Sequence, residues 1–163
     1  MVTAKVEQFI GATSNEVLGL VMDIERYAEV DEKISPVLWA RRTHNRVEFA
    51  CRPKLAGIRQ PKVVQFIDLT PGRRVDIGLL PKPQNRLAHA MARFHASFDC
   101  VDVDGGASVT RELTFEFSPA VRWLMEPLFR RRLQRDVEDE MRQARHYLEA
   151  RHDTTPPNRR QRR

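Results

Sequence analysis

Apolar and polar residues alternate through two long stretches late in the chain, and the alternation stops at one dipeptide. In "ARFHASFDCVDV" (92–103), Phe94, Ala96, Phe98 and Cys100 fall at every second position; in "ASVTRELTFEFS" (107–118), Val109, Leu113, Phe115 and Phe117 do the same. A period of two places each set on one face of a strand. Asp104-Gly105-Gly106 between them is a tight-turn signal, so the pair reads as a hairpin. After Ser118-Pro119 the spacing becomes helical. Val121, Leu124, Met125 and Leu128 form one stripe, and Leu133, Val137, Met141, Ala144 and Leu148 form another. The spacing predicts a helix from Pro119 to about Ala150. Pro119 suits a first helical turn, whereas Pro127 removes a hydrogen bond from the interior. The two stripes would be rotated apart on an unbroken helix, so a kink or break near Pro127 is expected.

The earlier chain is read in the same way. "TAKVEQFI" alternates and predicts a first strand. "GATSNEVLGLVMD" gives a breaker and then a helix start, with Thr13 and Glu16 at capping-box spacing. A second short helix follows through "IERYAEV". Strands are then expected over 34–42 and 46–52, joined at "THN", and over 59–70 and 71–80, joined at Pro71-Gly72; residues 81–91 read as irregular. Sequential antiparallel strands with helices grouped at their ends define an α+β domain. The last helix is the one element long enough to cover a sheet of six to seven strands. A curved sheet wrapped around it leaves space between the two.

Composition fits a globular protein: 41% of residues are hydrophobic and 31% charged, with a mean hydropathy of -0.53. No apolar run approaches the ~20 residues needed to cross a bilayer, and the first residues lack the continuous apolar core of a signal peptide. The chain is therefore expected to be cytoplasmic. The net charge of +6 is concentrated in "RHDTTPPNRRQRR" (151–163), whose five arginines and one aspartate leave residues 1–150 almost balanced. This divides the chain into a domain over 1–150 and a basic tail, expected to be disordered, over 151–163. The tail admits weak, salt-sensitive contact with RNA or an anionic membrane, or a solubilising role with no partner. Cys51 and Cys100 lack metal-type spacing and fall on apolar strand faces, so both read as small buried hydrophobes.

Two segments carry a resemblance. In "FIGATSNEVLGLVMDIERYAEV" a strand is followed by a helix ending in Asp23, with Tyr27 beyond it. In "TRELTFEFSPAVRWLMEPLFRRRLQRDVEDEMRQARHYLE" a strand runs directly into the long helix. Together they resemble the START-like superfamily of polyketide cyclases, dehydrases and lipid-transfer proteins. The resemblance implies a helix-grip fold, with a curved antiparallel sheet gripping the C-terminal helix, two short helices after the first strand, and a cavity for a hydrophobic molecule. Members include carriers of sterols, lipids and quinones, aromatase/cyclases and a ribosome-associated toxin.

Strand and helix phase supply the lining expected of such a cavity: Phe49, Phe94, Phe98, Leu113 and Phe115 from the sheet, and Leu124, Met125 and Leu128 from the helix. Trp39 would line it or flank its entrance. Each residue also fits an ordinary filled core; the group together fits a mostly apolar pocket. Arg111 lies in phase with the apolar side of its strand. A buried guanidinium needs a partner, either an acid on a ligand or a protein carboxylate. Asp23 and Asp31, near Tyr27, are candidate acids, although capping or solvated carboxylates are commoner. No histidine has a partner at metal-ligand spacing, and there is no phosphate loop or nucleophile elbow. No metal, cofactor or catalytic set is expected. Three functions remain open: a carrier of a hydrophobic molecule such as a lipid, polyketide or quinone; a polyketide cyclase or dehydratase; and an RNA- or ribosome-associated protein using the basic tail.

Overall fold

The computed structural model describes residues 1–154. Strand β1 (Val2–Ile10) leads into helices α1 (Ser14–Met22) and α2 (Ile24–Val30) and one 3-10 turn (Glu32–Ile34). Strands β2 (Val37–Thr43), β3 (Arg46–Cys51), β4 (Lys54–Leu55), β5 (Ile58–Arg59), β6 (Val63–Thr70) and β7 (Arg74–Leu79) follow. Helix α3 (Arg86–Met91), strands β8 (Ala92–Val103) and β9 (Gly106–Phe117), and helix α4 (Pro119–Asp153) complete the described residues. Seven strands form one antiparallel sheet in the order β1-β9-β8-β7-β6-β3-β2, and β4 and β5 form a separate two-stranded hairpin. This is the helix-grip α+β arrangement.

Local chemistry sets the helix starts. The Thr13 hydroxyl accepts from the Glu16 N–H, and the Glu16 carboxylate accepts from the Thr13 N–H, completing the capping box. Asp23 ends α1 and caps α2, accepting from the Arg26 N–H. Asp31 ends α2 and accepts from the Lys33 N–H at the 3-10 turn. At the β8–β9 turn Gly105 has φ +82°, and a side chain at Gly106 would meet the Ile10 carbonyl oxygen at 2.1 Å. That close approach lets β1 pair with β9 to its end, where Ile10 faces Ala107.

The structure corrects four expectations about elements. Helix α4 runs unbroken through Pro127 and ends at Asp153, three residues later than expected. Pro127 and Trp123 are both exposed, so the Trp123 carbonyl, which loses its N–H donor to the Pro127 ring, lies on the solvent side of the helix. Phe129, absent from both apolar stripes of the sequence, is buried and joins them in one line through Met125, Phe129, Leu133, Val137 and Met141. Steps of four residues advance about 40° around a helix, so the line spirals. The second correction is that residues 59–70 are not one strand, because the β4–β5 hairpin takes their start. Its turn uses Ala56 and Gly57 at positive φ, and the Ala56 carbonyl accepts from Arg132 of α4 at 3.2 Å. Third, residues 86–91 are helical, not irregular. Six residues are too few to show a period, and the Asn85 side chain anchors the helix start by bonding to Val64 and Leu80 backbone. Fourth, β2 begins at Val37, later than expected. The basic tail beyond residue 154 lies outside the described residues.

Candidate functional site: a cavity with an aromatic wall and a polar end

Strand β9 sets the polarity of the interior. Arg111, Leu113, Phe115 and Phe117 share its inner face, so Arg111 and Phe117 lie about 20 Å apart at 3.4 Å per residue. Helix α4 turns back at Ser118 and runs over the same face, which brings Phe129 to Phe117 and Phe115 and carries Glu140 to Arg111. Ring centres are 4.9 Å apart for Phe117 and Phe129, 5.0 Å for Phe115 and Phe129, and 5.0 Å for Phe94 and Phe115. Between the aromatic cluster and the charged one lies a cavity of about 320 Å³. Its wall is drawn from β3, β6, β7, β8 and β9, from α2, α3 and α4, and from the β4–β5 hairpin. Five strands converge on one cavity because the sheet curves.

At the polar end, Arg111 is 5% exposed and Glu140 2%. Arg111 Nε donates to Glu140 Oε1 at 3.1 Å, and its guanidinium stacks 4.2 Å from the Phe98 ring centre. The Tyr27 hydroxyl donates to the same Glu140 oxygen. Lys33 Nζ donates to the Asp136 carbonyl at 2.7 Å and to Glu140 Oε2 at 3.4 Å, and lies 3.6 Å from Asp31. Two cations thus face two carboxylates. Ion pairs survive burial only when hydrogen bonds of this kind offset the lost hydration.

These contacts set the protonation states. Burial raises the Glu140 carboxyl, but the Arg111 and Lys33 charges and the Tyr27 hydroxyl outweigh it and hold Glu140 below the usual glutamate range. Burial and the Glu140 charge push Asp31 up to about 6, although Lys33 and Arg111 oppose them. Burial, then Glu140, raises the Tyr27 hydroxyl well above its ordinary value. Burial, with a smaller contribution from Asp31, pushes the Cys51 thiol up to about 12; Cys100 is pushed equally far by burial and by Asp99 and Asp102. Both cysteines are buried free thiols, and neither is a nucleophile at neutral pH.

Of the residues singled out from the sequence, Phe49, Phe94, Arg111, Leu113, Phe115 and Met125 lie in the cavity wall. Four do not. Leu124 is 57% exposed, because the buried line of α4 passes through Met125 and Phe129. Leu128 is half-buried and packs on the core beside that line. Phe98 is buried beneath Arg111 and meets the Tyr27 ring edge-on. Trp39 is 39% exposed on the edge strand β2, where a register shift between Val37 and Trp39 breaks the alternation.

The acid on Arg111 belongs to the protein: Glu140 is its partner, resolving the alternative left open by the sequence. Asp23 is a half-exposed cap, whereas Asp31 is a cap and a cavity residue at once. Glu140, Lys33, Gln65 and Phe129 join the site without having been anticipated. Glu140 is legible in retrospect, since it continues the helical spacing Leu133, Val137, Ala144; Gln65 likewise lies in strand phase with Val63 and Ile67. Nothing local marks Lys33. Among the described residues no group of His, Cys, Asp or Glu is arranged to hold a metal ion, and no helix is long and apolar enough to cross a membrane.

Comparison with solved structures places the fold among proteins of low sequence identity. TTHA0849 from Thermus thermophilus superposes with a TM-score of 0.74 at 16% identity, over 92% of this chain and 99% of that one. The Zhui aromatase/cyclase from Streptomyces sp. R1128 gives 0.74 at 12% identity, over 95% and 98%. A START superfamily protein from Mycobacterium smegmatis gives 0.63 at 13%, over 91% and 97%. No curated protein matches the chain. Residues 1–149 match the family described as polyketide cyclase/dehydrase and lipid transport, and the chain belongs to that family.

Proposed function

We propose that the protein binds a hydrophobic small molecule, such as a lipid, polyketide or quinone-like compound, in the cavity between the sheet and α4. One observation carries this reading: the interior holds about 320 Å³ of space between an aromatic wall and a buried charged end. A core that served packing alone would close such a space, because voids cost stability. Binding pockets are mostly apolar with a few placed polar groups, and this wall has that character. The test is native mass spectrometry of the protein as purified, followed by organic extraction of whatever dissociates. The expected result is a bound apolar species. An empty protein that also refuses Nile red, an uncharged apolar dye, would overturn the reading.

A second reading is favoured by a separate observation. Asp31, Tyr27, Arg111 and Glu140 bring acid, base and cation to one end of the cavity. Such a set suits proton transfer on a bound polyketide-like chain, as in a cyclase or dehydratase, and the wall would hold the chain in a reactive shape. The likeness to an aromatase/cyclase is consistent with it. The two readings separate on turnover: a carrier returns its ligand unchanged, and an enzyme returns a cyclised or dehydrated product.

A further inference from the structure

We infer that the ligand meets the polar end through an uncharged hydroxyl, phenolic or alcoholic, and that Asp31 selects it over a carboxylate. The inference rests on the binding reading and specifies the chemistry of the same cavity.

The groups facing this end from each surrounding element decide the matter. Tyr27 comes from α2, Asp31 and Lys33 from the segment after it, Arg111 from β9, and Glu140 from α4. The two cations and two carboxylates cancel. Arg111 is already engaged by Glu140 at 3.1 Å, and Lys33 Nζ has three oxygen neighbours at 2.7, 3.4 and 3.6 Å. A ligand carboxylate would therefore lose its hydration without gaining an unmatched positive charge, and it would stand near Asp31 and Glu140. Its burial has nothing to offset it.

A hydroxyl has a place prepared. Asp31 is buried in the cavity wall; its Oδ1 accepts from the Lys33 N–H, and Oδ2 receives no hydrogen bond from any described residue. Gln65, also in the wall, spends its Nε2 on the Cys51 sulfur at 3.7 Å and leaves Oε1 without a donor among the described residues. Two oxygen acceptors thus open on the cavity, and unfilled acceptors call for a ligand that brings O–H groups. With its carboxyl raised to about 6, Asp31 is mostly ionised at neutral pH and acts as an acceptor there. The charged groups at the outer rim, Lys62 and Arg86, are exposed, so water screens their attraction for an acid.

The experiment is calorimetric titration of the protein at about pH 7.5 with 2-naphthol and with 2-naphthoate, which share a ring system and differ in the head. Nile red uptake reports in parallel whether the cavity is open. The expected result is roughly tenfold tighter binding of 2-naphthol, with the preference falling to within about threefold in Asp31→Asn, which keeps the cap but removes the charge. Equal or tighter binding of 2-naphthoate, or binding of neither naphthalene by a protein that takes up Nile red, overturns the inference and leaves the binding reading intact. A protein that admits none of the three compounds overturns both. An undiminished preference in Asp31→Asn overturns the role of Asp31.

Discussion

Single residues at the polar end carry opposing electrostatic loads, and each load has a measurable sign. Asp31 titrates higher in the fold than in the unfolded chain, so from about pH 4 to 6 the folded state holds the extra proton and stability from this group falls as pH rises. Above about 6 its burial as an anion is a standing cost. Asp31→Asn is therefore expected to raise Tm at pH 7.5 and to show little gain at pH 4.5, as read by thermal denaturation at the two values. Arg111 behaves otherwise. Removing it strands Glu140 in the interior, so Arg111→Met should cost about 3–5 kcal/mol in urea unfolding, and the Arg111→Met/Glu140→Leu double variant should regain most of that loss. A double-variant cost equal to the sum of the Arg111→Met and Glu140→Leu costs would show that the pair is not coupled. Arg111 is visible in the sequence as a charge in phase with apolar neighbours. Its partner is not, because Glu140 stands 29 residues away in a helix crowded with other acids and only folding chooses among them.

Helix α4 is the element on which the sequence reading and the structure differ most. Its start, its length and its amphipathic lower half follow from Pro119 and the 3.6-residue period. The sequence pattern puts its upper half on the wrong face, because Leu124 and Met125 both fit a stripe that omits Phe129. Burial decides between them. Phe129→Ala is expected to destabilise the protein by about 3–5 kcal/mol, and Leu124→Ala by well under about 1 kcal/mol, in the same unfolding assay. Comparable losses would mean that the helix presents a different face. The strands are more legible than the helices: β8 and β9 each pair with one buried side, and their boundaries agree with the alternation to within a residue. The β4–β5 hairpin and α3 escape the pattern because two and six residues display no period; they are held by Arg132 and by Asn85, contacts that no local pattern announces.

For the whole molecule, the question is whether the space between sheet and helix is usable. Met125 lies in the cavity wall and its neighbour Leu124 points outward, which gives a paired test. Met125→Trp should reduce Nile red uptake several-fold, whereas Leu124→Trp should leave it unchanged; matching behaviour of the two variants would place the bound dye outside the cavity. The sequence by itself determined the α+β class, the sheet and the long closing helix, because each follows from the period of apolar residues and from turn and capping signals within a few positions; its two end segments carried the resemblance to the family that residues 1–149 match. Only the tertiary structure decided which apolar residues border the cavity and which fill the core, that Arg111 is answered by Glu140, and that Asp31 lies buried with one oxygen receiving no hydrogen bond from any described residue. Those facts depend on the curvature of five strands and the rotation of one helix, which bring together residues as distant as Tyr27 and Glu140, 113 positions apart in the chain.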